Sequence, residues 1–373
     1  MKKFFFFIII AINLIIVSGV NARSGCYESI PNIYEWLSPA VVSISAVDIS
    51  NTKRTERVSN VIGSGFIISK DGLVLTNSHV VYGLRSINVT MDNGETVEGD
   101  VVGVDPILDI ALLRVPVSPE GLTKIPFGNS EKIRVGEQVM AIGNPFGFEQ
   151  TLTLGIISGL NRMLSLSPLS LTIPLLQTDT AINPGSSGGP LLNRCGEAIG
   201  ITTAVLGEAQ NISFALPINI AKKYLPQLKK DGRIIRPWIG VSGKLINKEE
   251  LEDIFNISVV DGFLVETIDS NSPADRAGIQ EGYIPVSVGG QDFVIGGDII
   301  TSINGLEIHN EEILESILDN LKVGDKLNMT LYKDGNTRTV QLTLVERPIL
   351  PGDLEDHTKN IFLLPMRHRT YSY

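Results

Sequence analysis

A loop rich in small residues, 177–191 (QTDTAINPGSSGGPL), contains the strongest candidate for chemistry in the sequence. A serine hydroxyl is a weak nucleophile at its free pKa, so it requires a base within reach and donors that stabilise a developing oxyanion. Gly185, Gly188 and Gly189 permit backbone conformations that can turn N–H groups inward beside Ser187. A solitary SGG is typical of a solvated turn, so the interpretation of Ser187 as a nucleophile depends on the rest of the sequence.

A base and an acid complete the pattern. His79 is the only histidine before residue 230, and it follows the apolar run 73–76. Imidazole titrates near neutral pH and is a candidate base, but it requires a carboxylate that fixes its tautomer. Asp105 precedes a proline and is typical of a turn, whereas Asp109 opens an apolar strand, where a buried carboxylate needs a partner. The sequence therefore predicts His79, Asp109 and Ser187 as a catalytic triad.

The chain order His, Asp, Ser is that of chymotrypsin rather than that of subtilisin or the α/β-hydrolases. Segments 76–80 (TNSHV), 105–112 (DPILDIAL) and 177–191 resemble the three catalytic blocks of the HtrA/Deg family of serine endoproteases. The resemblance extends over residues 39–346. It implies a mainly β fold: a chymotrypsin-like double six-stranded β-barrel followed by a small α+β PDZ domain.

The same resemblance implies an ATP-independent serine endopeptidase and assigns a role to each site residue. Ser187 would attack the peptide carbonyl, His79 would move the proton and Asp109 would orient His79. The backbone N–H groups of Gly185 and Ser187 would form the oxyanion hole. The expected substrate cleft, with an apolar first subsite for small aliphatic side chains, comprises Ile212, Ser213 and Phe214. Residues 155–174 and 204–210 match regulatory loops of the family.

The second half of the chain resembles a PDZ domain in segments 237–241 (PWIGV), 261–265 (DGFLV), 272–278 (SPADRAG) and 296–305 (GGDIITSING). Such domains add a peptide as a β-strand and bind its terminal carboxylate with backbone N–H groups. The resemblance places the carboxylate loop and the peptide-pairing strand at Trp238, Ile239, Gly240 and Val241, facing a helix that starts at Glu311. Apolar residues that merely pack a strand would explain Ile239 and Val241 equally well.

The hydrophobic pattern predicts elements that suit these domains. Short apolar runs separated by Gly, Asn-Gly and Asp-Pro breaks predict many short strands; they are 65–69, 73–76, 87–91, 109–115, 138–142, 151–157, 263–267 and 326–332. Helices are predicted at 219–230 and 311–321. The expected boundaries are a signal peptide or anchor at 1–22, an N-terminal segment at 23–38, a protease domain at 39–231, a PDZ domain at 236–346 and a tail without elements at 347–373.

The first residues predict export. Two lysines, an apolar run over 4–17 and small residues before Ala22 are the layout of a signal peptide, and the run is short for a membrane span. We expect a periplasmic location, and retention of residues 4–20 as an inner-membrane anchor is left open. Because residues 1–22 contain two lysines and no acid, their removal changes the formal charge from −10 to −12. So acidic a protein is a poor nucleic-acid binder.

The two cysteines, Cys26 and Cys195, lack the paired spacing of a metal site, so neither a metal nor another cofactor is expected. Whether they pair with each other is left open, because the sequence does not show how closely their Cα atoms approach.

Three readings of function follow. The first is degradation of unfolded or misfolded polypeptides, regulated by C-terminal peptides at the PDZ domain. The second is a chaperone-like binding protein with little proteolysis, against which the complete triad argues. The third is a membrane-anchored regulatory protease. The resemblance also implies a homotrimer, or a multiple of it, formed through the aromatic segment 33–37 ahead of the first barrel.

Overall fold

The computed structural model describes residues 28–48, 59–116, 122–143, 150–165, 173–205, 211–248, 260–288, 291–350, 362–363 and 371–372. The expected signal peptide or anchor lies outside these residues. In the part of the chain that is described, no helix has the length and apolar composition that a membrane span requires.

Helix α1 (Ile30–Leu37) precedes the first barrel. It begins after Ser29, whose Oγ accepts a hydrogen bond from the Asn32 N–H at 3.3 Å, an ordinary N-cap. Ile33 and Leu37 point into the protein core, whereas Trp36 is 51% exposed. Trp36 is therefore the exposed aromatic side chain of α1.

Seven antiparallel strands form the first sheet: β1 (Val41–Asp48), β2 (Ser59–Ile67), β3 (Leu73–Thr76), β4 (Arg85–Thr90), β5 (Thr96–Glu98), β6 (Asp100–Asp105) and β7 (Ile110–Arg114). Their order is β5-β4-β1-β2-β3-β7-β6. The sheet has one strand more than expected because the three-residue β5 pairs with the outer edge of β4. Strand β3 is buried along its whole length, and His79 follows it directly.

Six further strands close into the second barrel: β8 (Gln138–Gly143), β9 (Thr151–Ser165), β10 (Ile173–Thr178), β11 (Pro190–Leu192), β12 (Ala198–Val205) and β13 (Ser213–Pro217). The order β10-β13-β12-β11-β8-β9 closes because β9 also pairs with β10. Strand β9 is longer than the predicted 151–157. Residues 155–165, expected to belong to a regulatory loop, are therefore strand, while 166–172 lie outside the described residues.

Helix α2 (Ile218–Asp231) closes the protease domain, one residue longer at each end than predicted. It ends at Gly232, which has φ 71° and donates its N–H to Leu228 O at 3.1 Å. The helix packs on β6 so closely that a Cβ at Gly103 would come within 2.3 Å of Leu228 O.

The described residues of the PDZ domain form ten strands and two helices: β14 (Pro237–Trp238), β15 (Val241–Ile246), β16 (Gly262–Ile268), α3 (Pro273–Arg276), β17 (Ile284–Val288), β18 (Gln291–Ile295), β19 (Ile299–Ile303), β20 (Leu306–Glu307), α4 (Glu311–Leu318), β21 (Lys326–Lys333), β22 (Asn336–Thr343) and β23 (Val345–Glu346). The main sheet has the order β22-β21-β19-β16-β15, with β20 beside β19. Val241, Leu314 and Ile317 share one core. The domain is therefore a sheet with α4 packed on it.

Helix α4 starts where predicted and ends earlier. Asn310 caps it, because its Oδ1 accepts a hydrogen bond from the Ile313 N–H at 2.9 Å. The prediction of helix to Leu321 was wrong by three residues, because the N–H groups of Asn320 and Leu321 bond three residues back, to Ile317 O and Leu318 O. The apolar spacing thus continues through tighter turns that are no longer α-helix.

Two arginines of the linker, Arg233 and Arg236, connect the protease domain with the PDZ domain. Arg236 donates two hydrogen bonds to the Asp105 carboxylate, at 2.5 and 2.9 Å. Arg233 donates two to Glu346, at 2.6 and 3.0 Å. The linker between α2 and β14 is therefore bonded to both domains.

The tail forms two short strands where none was expected. Strand β24 (Phe362–Leu363) pairs with the end of β9, and β25 (Tyr371–Ser372) pairs with β15. Both partners are sheet edges, whose unpaired backbone groups can bond to a passing extended segment whatever its side chains.

Candidate active site

The Asp109 carboxylate is the centre of the site. It is 1% exposed and accepts hydrogen bonds from the His79 backbone N–H at 3.0 Å, the Ser78 hydroxyl at 3.0 Å and the Thr203 hydroxyl at 2.7 Å. The His79 Nδ1 atom lies 3.0 and 2.9 Å from its two oxygens. A buried carboxylate with this many donors is stabilised in its charged form.

Local structure explains how Asp109 reaches this position. Asp105 Oδ1 accepts the Leu108 N–H at 2.8 Å and so closes a turn over residues 105–108. Asp109 then takes φ 55°, a left-handed conformation that aspartate tolerates better than most residues. The Asn77 side-chain amide donates to Asp109 O at 2.8 Å and holds the residue in place.

His79 lies on a short 3-10 turn (Ser78–Val80) that follows the buried strand β3. Because an ionised carboxylate only accepts hydrogen bonds, the contact with Asp109 requires the proton on His79 Nδ1. In the neutral imidazole, Nε2 then carries a lone pair. The His79 side chain is 20% exposed, so it reaches the surface while Asp109 remains buried.

Ser187 lies in a loop that hydrogen bonds hold from two sides, by Ser64 on one side and by Thr202 on the other. On one side the Ser64 N–H donates to Ser187 O at 2.7 Å and the Ser64 hydroxyl donates to Gly185 O at 2.6 Å. On the other side the Gly188 N–H donates to Thr202 O at 2.8 Å, and the Thr202 hydroxyl donates to Ser186 O at 2.7 Å.

These contacts place the Ser187 loop beside the residues that carry His79. A Cβ at Gly188 would lie 3.1 Å from Asn77 N, two residues before His79. A Cβ at Gly63 would meet both the Val80 side chain and Ser187 O. Direct side-chain hydrogen bonds thus connect His79 with Asp109, while Ser187 is positioned through its backbone. Ser187 is partly exposed, whereas Gly185, Ser186 and Gly188 are buried.

The expected oxyanion donors belong to this loop. Gly185 has φ 95° and Gly188 has φ 87°, conformations that favour glycine on both sides of Ser187. Since Ser64 bonds the carbonyls of Gly185 and Ser187, it fixes the two peptide planes on the C-terminal side of these residues. The Ser187 N–H belongs to the preceding plane, whose Ser186 carbonyl accepts the Thr202 hydroxyl, so Ser64 positions the loop as a whole. The oxyanion assignment stays a prediction.

The expected cleft residues lie on or next to β13, between β10 and β12. Ser213 pairs with Thr178 on one side and with Val205 on the other, and the Phe214 side chain is 1% exposed within the main core. A substrate strand therefore has no open backbone edge at Ser213. Ile212 is only partly buried and is the member of the three with accessible side-chain surface.

Sequence reasoning missed Thr203, Ser78, Asn77 and Ser64. Thr203 is on β12 and lies 94 residues from Asp109 in the chain. The hydroxyl groups of Thr203, Ser78 and Ser64 give no local signal, because Ser and Thr are frequent in all strand-rich proteins. The Asn77 amide gives none either. Only the tertiary fold brings their hydroxyl and amide groups to Asp109 and to the Ser187 loop.

The four expected PDZ residues form the loop and strand start that the resemblance implies. Trp238, Ile239 and Val241 are buried, and Gly240 has φ 84°. A Cβ at Gly240 would come within 2.0 Å of the Ser272 side chain. Ile239 O and Gly240 O accept hydrogen bonds from the N–H groups of Ala274 and Asp269, so the loop is held from the α3 side. Its role in peptide binding stays a prediction.

Cys195 is disulfide-bonded. Cys26, whose pairing with Cys195 was left open above, lies outside the described residues, whereas Cys195 lies in the turn after β11. Beside it, Arg194 donates to Glu28 O at 3.0 Å. The N-terminal segment is therefore attached to the turn between β11 and β12.

Comparison with protein families identifies two domains. Residues 63–201 match the trypsin-like peptidase domain, and residues 237–344 match the PDZ domain. The chain is 38% identical over 290 residues to a probable periplasmic serine endoprotease DegP-like of Marinomonas sp. (strain MWYL1), which covers 77% of this chain and 57% of that protein. It is 32% identical to the protein of the same name from Pseudomonas fluorescens, over 96% of this chain and 78% of that protein.

Solved structures that are similar to this chain are also serine endoproteases or HtrA-type proteases. An HtrA-type protease AlgW with decapeptide is 28% identical and superposes with a TM-score of 0.69, covering 87% of this chain and all of that one. A serine endoprotease from Yersinia pestis is 31% identical, with a TM-score of 0.64 over 86% of this chain. The expected mainly β fold of a chymotrypsin-like domain followed by a PDZ domain is confirmed. The chain spans 57–59% of the length of the first four curated relatives, and it belongs to the HtrA/DegP-like family of serine endoproteases.

Proposed function

We propose that this chain is an ATP-independent serine endopeptidase of the cell envelope, with His79, Asp109 and Ser187 as its triad. The observation that carries the proposal is the contact of His79 Nδ1 with the buried Asp109 carboxylate, at 2.9 and 3.0 Å. This contact requires the tautomer that presents a basic Nε2. Family membership and the packing of the Ser187 loop beside residues 76–80 support the same assignment.

Each member of the proposed triad has a separate role in peptide hydrolysis. Ser187 Oγ attacks the peptide carbonyl carbon while His79 Nε2 takes the hydroxyl proton, and the Asp109 carboxylate stabilises the imidazolium. The backbone N–H groups of Gly185 and Ser187 stabilise the oxyanion. When the intermediate collapses, His79 gives its proton to the leaving amine. Water then hydrolyses the acyl-enzyme with His79 again as base.

The proposed substrates are unfolded or misfolded polypeptides in the periplasm. An extended chain presents its backbone to a cleft, which a folded protein does not. Relatives of this chain are named periplasmic, and the exported layout of residues 1–22 supports that location. The protease AlgW has been solved with a decapeptide, which supports peptide binding by the protease and PDZ domains of this chain. Trimer formation through α1 and the exposed Trp36 is part of the proposal.

Casein hydrolysis tests the protease. Ser187→Ala is expected to lower kcat by about 10³-fold or more, and His79→Ala by a similar factor. Because the triad acts as a unit, the double variant should be no worse than either single variant. Equal activity of the wild type and Ser187→Ala would overturn the proposal, and two equally inert proteins that suppress casein aggregation would instead favour the chaperone-like reading.

N-terminal sequencing of the exported protein tests processing. A mature chain that begins at Arg23 means a cleaved signal peptide. A chain that retains residues 4–20 means an inner-membrane anchor and favours the membrane-anchored regulatory protease.

A further inference from the structure

Strand β15 is the edge of the PDZ sheet, and the tail of this chain lies on it. Tyr371 is opposite Gly243, and Ser372 is opposite Ser242, in antiparallel register. On its other side β15 pairs with β16 over its full length, so the tail uses the one edge of β15 that its sheet leaves open. This is the geometry by which PDZ domains add a peptide.

The register brings the tail toward the proposed carboxylate loop. Because the strands are antiparallel, the tail advances from Gly243 toward Val241 as its residue numbers rise. Gly240 lies immediately beyond, with its φ of 84°. A peptide ligand is expected to run in the same direction on the same edge, so the tail and a peptide cannot both pair with Ser242 and Gly243.

Charge also favours this occupant. Residues 237–346 carry 19 acidic and 7 basic side chains, a formal net charge of −12. Residues 359–373 carry Lys359, Arg367 and Arg369 and no acid, a net charge of +3. The acidity of the whole chain is concentrated in the PDZ domain, and the basic end of the tail is complementary to it.

A second pairing attaches the same tail to the protease domain. Phe362 is opposite Ser165, and Leu363 is opposite Leu164, at the end of β9. The eight peptide steps from Leu363 to Tyr371 span at most roughly 28 Å. The tail thus connects a strand of the second barrel, next to the expected regulatory loop, with the peptide-pairing strand of the PDZ domain.

We infer that the end of the tail, at Tyr371 and Ser372, is an internal ligand of the PDZ domain, which an incoming peptide must displace from β15. The inference rests on the peptide-binding role proposed for β15. Displacement of β25 also removes one of the two pairings that hold the tail, so peptide capture loosens its contact with β9. Tyr371 and Ser372 are therefore an autoinhibitory ligand of the PDZ groove, carried by the tail of the same chain.

Peptide binding to the full chain tests the inference. The probe is a fluorescent synthetic peptide of residues 362–373, titrated into the Ser187→Ala protein with and without residues 351–373. A tethered segment reaches an effective concentration on the order of 1 mM, so a tail with a Kd of about 10 µM in trans should weaken probe binding about 100-fold. Truncation should restore that affinity.

Point variants separate backbone pairing from loss of the tail. The double variant Tyr371→Pro, Ser372→Pro removes two backbone N–H groups and should bind the probe as tightly as the truncated chain. Its matched control, Tyr371→Phe with Ser372→Ala, keeps both N–H groups and should remain weak. Hydrogen exchange of the N–H groups of residues 241–243 that face the tail should accelerate at least about tenfold in the proline variant and not in the control.

Equal probe affinity of the full and truncated chains, with unchanged exchange in β15, would overturn the inference. A difference that disappears on dilution of the protein would also overturn it, because the tail would then occupy a second copy. The truncated chain is tested separately with a library of peptides that have free C-terminal carboxylates. Library binding without any effect of the tail leaves the proposed PDZ function standing, whereas no binding at all rejects both.

Discussion

At the scale of single residues, the site is organised around the acid rather than the nucleophile. The Asp109 carboxylate receives hydrogen bonds from two elements: the turn Ser78–Val80, through Ser78 and His79, and strand β12, through Thr203. Each donor restricts the carboxylate plane, and the carboxylate plane in turn orients the imidazole of His79. The position of His79 Nε2 is therefore set by the buried hydroxyl groups of Ser78 and Thr203.

Thr203→Val tests that chain of positioning contacts. The substitution removes the hydroxyl that donates to Asp109 at 2.7 Å and keeps the branched shape. We expect kcat for a peptide substrate to fall about tenfold with KM unchanged, since one hydrogen bond to a charged group contributes roughly 1.5 kcal/mol. Thr203→Ser retains the hydroxyl and should retain most of the activity. A loss confined to KM, or an equal loss in both variants, would mean that Thr203 acts through the cleft instead.

Glu266 supplies a pH-dependent prediction in the PDZ domain. Burial raises the pKa of Glu266 above its usual 4.5, against the opposing attraction of Lys244, whose Nζ lies 3.7 Å away. The folded protein thus binds this proton more tightly than the unfolded chain. The resulting stability is fully present below the unfolded pKa and is lost as pH rises through the raised folded pKa.

Glu266→Gln removes this titration while keeping an oxygen for the Val294 N–H, which donates at 3.1 Å. We expect the variant to match the wild type in urea midpoint at about pH 4 and to exceed it at about pH 7. Urea unfolding of both proteins over this range measures the difference. A difference that stays constant with pH would contradict the role of burial at Glu266.

At the scale of residues, a prediction is possible where a residue's own neighbours carry the signal. Asp109 was separable from Asp105 because one precedes proline and the other opens an apolar strand, and the structure places Asp109 against His79. The partner of Asp105 was not predictable, since Arg236 is 131 residues away and its arginine side chain is ordinary in a linker. The contact of Thr203 with Asp109 was not predictable for the same reason, since the two residues are 94 positions apart in the chain.

At the scale of elements, the Ser187 loop depends on close backbone contacts. A Cβ at Gly188 would lie 2.2 Å from Ser64 O and 2.3 Å from Thr76 Oγ1, which a real Cβ does not do. Since both atoms belong to strands of the first sheet, they cannot move away independently. The loop therefore has a single fitted position between the two barrels.

Gly188→Ala is expected to lower casein hydrolysis at least about 100-fold, because displacement of a catalytic group by about 1 Å has that effect. Gly136→Ala is the matched control: Gly136 has a φ of 88°, close to the 87° of Gly188, and a Cβ there meets nothing within 4 Å. The control carries the same backbone strain without the contact. If both variants lose equal activity, strain rather than close packing explains the glycine.

Element boundaries show where local pattern reasoning ends. The interior of α2 and the run of β3 were predicted, since both are continuous hydrophobic patterns with clear stops. Helix α4 stops early, at Leu318, although Leu321 continues the apolar spacing. The tail strands β24 and β25 have no period of two to detect, because each is only two residues long and exists through the edge that it pairs with.

At the scale of the whole molecule, the two domains share a junction that lies close in sequence to the active site. Asp105 ends β6 and closes the turn that leads to Asp109, while Arg236 immediately precedes β14 of the PDZ domain. The Arg236–Asp105 pair has side chains only 14% and 5% exposed. A movement of the PDZ domain that pulls on Arg236 therefore acts on the chain four residues before Asp109, the carboxylate proposed to orient His79.

Asp105→Ala tests this junction. The variant leaves the Arg236 guanidinium without its buried partner and removes the acceptor of the Leu108 N–H, so we expect unfolding stability to fall by about 3 kcal/mol. Glu137→Ala, which breaks the exposed Arg134–Glu137 pair, should change stability by less than about 0.5 kcal/mol. A cycle of Asp105→Ala, Arg236→Ala and the double variant, read by urea unfolding and casein hydrolysis, gives the coupling. Additive effects on stability and unchanged hydrolysis in Asp105→Ala would show that the junction neither binds the domains together nor supports the turn before Asp109.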